Sequence, residues 1–112
     1  MTGIVKYGKT ASVFYGKTEV VIDGTKFELV YYILKTDIEV DGIRTDTYGI
    51  LIVKSNMSGV EIERESEIDI WSDLLEVKVL TKRLFECKAL PEELNYVVTD
   101  YVDEISCDVN AS

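Results

Sequence analysis

Asp37 and Asp46 flank an Asp41-Gly42 dipeptide, and a two-residue turn there folds the two carboxylates opposite each other. Like charges facing across paired strands repel, unless they hold a cation or share a proton. With Tyr48 nearby, they are the candidates for a small carboxylate-based enzyme or a cation-binding domain. A β-bulge, or plain solvation at the hairpin tip, would leave them without that role. A second acidic group, Glu61, Glu63, Glu65, Glu67 and Asp69, occupies alternate positions of one segment. Strand carboxylates on one face stand ~6.6–7 Å apart, too far for neighbours to chelate one ion. The stripe therefore reads as a contact for a basic partner, or as a charged face that guards a sheet against edge pairing.

Other chemistry is excluded by what is missing. The chain has no histidine, so Ser-His-Asp and Cys-His arrangements are ruled out. It has no GxGxxG or GxxxxGK[ST] phosphate cradle and no D-x-D-x-D-G calcium loop. Two cysteines, Cys87 and Cys107, fall short of the four ligands of a closed zinc site. Cys87 reads as a small buried hydrophobe and Cys107 as an incidental thiol, because disulfides are rare in the cytosol. No catalytic, metal or cofactor-binding residue is expected, and no cofactor.

The formal net charge of −9 disfavours nucleic acid and anionic membrane surfaces as partners. The charge is segregated. Lys6, Lys9 and Lys17 have no acid among them, whereas Glu92, Glu93, Asp100, Asp103, Glu104 and Asp108 close the chain without a base. Such ends attract each other within one molecule or between two. No secretory signal or membrane-length apolar run is evident, so the expected location is cytoplasmic. At 112 residues with 46% hydrophobic content, the chain reads as one globular domain.

The elements follow from turns and periodicity. Asp23-Gly24 and Asp41-Gly42 are type I′ hairpin signals and predict strands near 18–22, 26–40 and 43–54, with a fourth at 60–70. Ser12 to Tyr15 is a candidate fifth. Pairing about Asp41-Gly42 sets Val40 against Ile43, Ile38 against Thr45, Leu34 against Gly49, Tyr32 against Leu51 and Val30 against Val53. That is taken as the core face. The other face pairs Ile33 with Ile50 and Tyr31 with Ile52, so the hairpin base is apolar on both sides. One wet face would not need this, and the N-terminal segment or another copy is expected over the second. In the fourth strand Val60, Ile62, Ile68 and Ile70 are expected inward and the acids outward.

Ser72 is the expected N-cap of a helix with the stripe Leu74, Val77, Leu80, Leu84 and Cys87, widened by Phe85. Pro91 opens a second helix that buries Leu94, Val97, Val98, Tyr101, Val102 and Ile105. The fold class is α+β: an antiparallel meander of four to five strands, then two helices packed on one face. Within the domain 1–112, residues 1–17 form a basic segment, 18–70 the meander and 72–106 the helices.

From about Leu29 to Ile105 the chain resembles a family of small uncharacterised bacterial proteins known only as a domain of unknown function. Tyr48-Gly49-Ile50, Asp69-Ile70-Trp71-Ser72-Asp73, Pro91 and Val97-Val98-Thr99-Asp100-Tyr101-Val102 carry the resemblance. It implies the order of strands then helices, and no activity. In that family the final helix often begins with a proline and a nearby histidine, and a role resting on the histidine does not transfer here.

The functional expectation is a non-enzymatic interaction or regulatory module, self-associating as a homodimer through Tyr31, Ile33, Ile50 and Ile52. Glu61, Glu63, Glu65 and Glu67 would meet a basic protein. Seven tyrosines suit half-exposed contacts, and suit strands equally well.

Overall fold

The computed structural model describes residues 4–110, with side chains described as far as Val102. Four antiparallel strands form one sheet in the order β1-β2-β3-β4. They are β1 (Val5–Ile22), β2 (Thr25–Val40), β3 (Ile43–Asn56) and β4 (Glu61–Trp71). Helix α1 (Leu74–Glu86), a short 3-10 turn (Pro91–Glu93) and helix α2 (Leu94–Asn110) follow.

The turns do what their residues dictate. Asp23 and Gly24 have φ of 50° and 80°, and Asp41 and Gly42 have 53° and 81°, the pair of positive values a type I′ turn requires. The β2–β3 register is the one that turn predicts, including Leu34 on Gly49, Tyr31 on Ile52 and Asp37 on Asp46, with no bulge between them. At the third turn Asn56 Oδ1 accepts from the amides of Ser58 and Val60, at 3.0 and 2.9 Å.

β1 is the main departure in extent. It runs beside the full length of β2 rather than over a face, and it absorbs both the expected strand at 18–22 and the candidate at Ser12–Tyr15. Two register shifts, between Tyr7 and Thr10 and between Phe14 and Gly16, interrupt its alternation. Each bulge resets which residues face which way, so no single period runs through the segment.

The helices choose the face carrying Tyr31. Leu29, Tyr31, Ile33, Ile50 and Ile52 form one core cluster with Val77, Leu80 and Leu84 of α1 and Leu94, Val98 and Tyr101 of α2. The expected assignment of faces is therefore reversed. The reason lies in two fits on that side. Gly16 leaves room for the Phe85 ring, which a Cβ would approach to 2.8 Å, and that ring meets Tyr31 edge-on at 5.5 Å. The Tyr31 hydroxyl also finds a partner, donating to the Ala89 carbonyl at 2.7 Å. The row of Val30, Tyr32 and Leu34 offers neither.

β4 is also reversed. Glu63, Glu65 and Glu67 pair with Lys54, Ile52 and Ile50 on the helix-covered side, while Val60, Ile62 and Ile68 are exposed and Ile70 alone of that set is buried. A second reset causes this: between Tyr48 and Ile50, the β4 backbone bulges against Gly49. A Cβ on Gly49 would sit 1.9 Å from the Glu67 carbonyl oxygen, so only glycine admits the bulge.

Asp73, not Ser72, caps α1, its Oδ1 accepting from the Leu75 amide at 2.9 Å. Cys87 is the C-cap and exposed rather than part of the buried stripe. Lys88 follows in the left-handed region at φ 54° and ends the helix. Pro91 opens the 3-10 turn that leads into α2. The side chains of Ile105, Cys107 and the terminal acids from Asp103 lie outside the described residues. No helix among the described residues is long and apolar enough to cross a membrane.

Gly49→Ala is expected to cost about 3 kcal/mol, as overpacking against backbone that cannot move does. Urea unfolding measures it, and an unchanged midpoint would contradict the close approach.

Candidate interaction surface

The side of the sheet away from the helices has no element over it among the described residues. Its rows carry Phe14, Val30, Tyr32, Leu34, Leu51 and Val53. Phe14 is 60% exposed and meets Tyr32 edge-on at 6.1 Å. Leu34 and Val53 are buried, at 5% and 9% exposed, and Val30, Tyr32 and Leu51 are half-buried. Exposed Phe14 and half-buried Val30, Tyr32 and Leu51 thus leave apolar surface on an open sheet, and such surface can mark a contact site.

One end of the open face is closed by polar chemistry. Thr10 and Thr36 share a hydrogen bond at 2.8 Å, and the Thr47 hydroxyl donates to Asp69 Oδ1 at 2.5 Å. The Tyr7 hydroxyl donates to Asp69 Oδ2 at 2.8 Å. That hydrogen bond, and then the carboxylate charge, hold the Tyr7 phenol above its ordinary pKa. Tyr7 stands on β1 and Asp69 on β4, the two outer strands. On a flat sheet they would be separated by three strand spacings, about 14 Å, more than the two side chains bridge. The sheet therefore curls toward its open side here, and Thr36 and Thr47 are buried beneath. Sequence reading missed this cluster, because it places Tyr7 in a strand only once β1 reaches back to Val5.

The outer strands carry opposite charge. β1 holds Lys6, Lys9 and Lys17 against Glu19, while β4 holds Glu61, Glu63, Glu65, Glu67 and Asp69 against Arg64. Part of the β4 charge is answered within the chain. Glu61 forms a two-point bridge to Arg64, at 3.0 and 2.6 Å, which lowers the Glu61 pKa. Glu63 lies 3.7 Å from Lys54, and Glu67 accepts from Asn95 Nδ2 at 2.6 Å. For Glu65 no such partner is present among the described side chains.

The four apolar residues expected to form a contact are not available for one. Tyr31, Ile50 and Ile52 are fully buried and Ile33 is 8% exposed, all beneath the helices of the same chain. Asp37 and Asp46 do come opposite each other, in a hollow of about 320 Å³ shared with Arg44 and Thr45. Lys35 stands 3.6 Å from Asp46, so protein cations already answer the pair. Tyr48 packs instead against the core cluster. No group of three candidate metal ligands is found among the described residues. Between α1 and α2 a cleft of about 230 Å³ has an apolar floor of Leu80, Leu84 and Val97, and Cys87 and Arg83 also line it.

The chain belongs to a family of unknown function (DUF6514), whose model matches residues 11–104. The comparison finds no matching curated protein and no matching solved structure.

Two expected outcomes follow from this geometry. Tyr31→Phe leaves the buried Ala89 carbonyl unpaired and should cost about 1–3 kcal/mol. Burial, ahead of the nearby Glu93 and Cys87 charges, pushes the Tyr31 phenol above its ordinary value. A raised folded-state pKa gives stability that is whole below pH ~10 and is lost as pH climbs above it. Unfolding curves for Tyr31→Phe should thus decline less steeply in alkali than wild type, and parallel slopes would contradict the assignment. Asp37→Asn removes a like-charge pair and should gain ~0.2–1 kcal/mol. A loss, together with wild-type stabilisation by millimolar magnesium or calcium, would instead reveal a cation site.

Proposed function

We propose that this protein is a non-enzymatic interaction module, and that its contact surface is the open face of the sheet around Phe14, Tyr32 and Leu51. The observation that carries the proposal is the uncovered apolar patch itself. The central hairpin is apolar on both sides, and the helices cover only the side with Tyr31 and Ile52. Exposing Phe14 to water forgoes stabilisation of about 25 cal/mol for each Å² that a partner would bury. Glu63, Glu65 and Glu67 of β4 face the other side of the sheet, so a basic partner would meet them along the β4 edge rather than on the patch. An intracellular setting accords with the free, exposed thiol of Cys87.

The experiment is affinity capture from the native cell, comparing wild type with Phe14→Ser. Phe14 is mostly exposed, so the variant should keep the wild-type circular dichroism and melting curve. Proteins held by wild type should fall at least tenfold with Phe14→Ser. Identical capture by both forms would remove the open face from the account.

A further inference from the structure

We propose that the wedge between the start of α1 and the sheet is a binding pocket for a small amphiphilic carboxylate, a molecule with one anionic head and a short apolar tail. The pocket lies on the side of the sheet that the helices occupy. It therefore stands apart from the open face and goes beyond the contact reading.

The wedge follows from where α1 touches the sheet. Near its C-terminal end α1 meets β1, where the Phe85 ring lies against Tyr15 and over Gly16. Leu74 and Lys78 stand one turn apart at the other end of the helix. Below them the sheet offers two rows, Val13 beside Ile33 and Lys35 beside Tyr48. These six residues line a cavity of about 290 Å³. Val13 is left 61% exposed, although its register partner Ile33 belongs to the core. The tail of a ligand lying in the wedge would take that surface out of water.

The lining selects the ligand. Val13, Ile33, Tyr48 and Leu74 supply an apolar wall, and the two charged groups are both ammonium, Lys35 and Lys78, with no acid among the lining residues. Acids on the adjoining segments are engaged. Asp46 lies 3.6 Å from Lys35, and Asp73 accepts from the Leu75 amide. Lys78 has no ion-pair partner among the described residues. An ammonium carries three N–H donors, so Lys35 can hold Asp46 and still give one to a ligand. In a chain of net charge −9, such a spot is where an anion can approach.

The other cavities lack this combination. The cleft between α1 and α2 sets Arg83 among Glu93 and Asp100, and Arg83 rests over the Tyr101 ring at 5.5 Å. The hollow at Asp37 and Asp46 has no apolar wall. Small-molecule pockets begin at about 300 Å³ and pair an apolar lining with a few convergent polar groups. A cavity of this size takes a head and a short tail, not a drug-sized molecule.

The test titrates hexanoate into the full isotopically labelled chain and follows the valine, leucine and isoleucine methyl signals by NMR. Hexanoate should saturate one site, shift Val13, Ile33 and Leu74, and bind about tenfold tighter than hexylammonium or acetate, which lack the negative head or the tail. Lys78→Gln, at an exposed position, should keep the wild-type melting curve and weaken hexanoate about fivefold. Val13→Asp, which sets a like charge against the carboxylate, should abolish binding. Phe14→Ser should leave it unchanged, which separates the pocket from the open face. Equal binding of hexylammonium, unchanged affinity in Lys78→Gln, or shifts confined to Leu80, Leu84 and Val97 would each overturn the assignment. So would the absence of saturable binding, or its loss in Phe14→Ser.

Discussion

The structure turns on a hairpin that is apolar on both sides. Burial of such a hairpin needs two covering layers, and two short helices supply one. The layer they supply is decided by a single phenol: Tyr31 reaches a carbonyl at the end of α1 from one side of the sheet only, and Phe85 lies over the glycine beside it. Once the helices are committed there, Tyr32, Leu51 and Val53 are left on the far side, half-buried or buried with no helix over them among the described residues. Every functional statement about the chain follows from that asymmetry.

The opposite ends of the sheet use different means to manage the uncovered side. Toward the N-terminus of β1, Tyr7 folds across to Asp69 and seals two buried threonines. Around Phe14 the centre of that face is aromatic and aliphatic, Tyr32, Leu51 and Val53, edged by Ser12, Arg64 and Ser66. A chain selected only for solubility would carry polar side chains on such a surface, since the outer face of an antiparallel sheet tolerates them freely.

Much of this was legible in the sequence, and the rest failed for identifiable reasons. Both Asp-Gly turns fixed the hairpins, and the pairing of β2 with β3 followed residue by residue. The choice of face did not, because Ile33 with Ile50 and Leu34 with Gly49 are equally apolar by type. What separates them is the long-range contact of Tyr31 with Ala89, which no local pattern encodes. Hence the four residues read as a contact proved to be core, while their neighbours of opposite parity, buried or half-buried, line the side without helices. β1 was hidden by its two bulges, and the inward and outward sets of β4 were exchanged by the bulge over Gly49. Ser72 and Asp73 are both good caps, and only the geometry distinguishes them. Cys87 ends the helical stripe one position too late to be buried.

Whether the open face is dry in the working protein is the question that matters most, and hydroxyl-radical footprinting answers it most directly. Tyr96, 72% exposed on α2, is the internal reference. In the native cell Phe14 and Tyr32 should be oxidised far more slowly than Tyr96, and Phe14 should gain reactivity in the purified chain. Oxidation of Phe14 as readily as Tyr96 in the native cell would contradict the account.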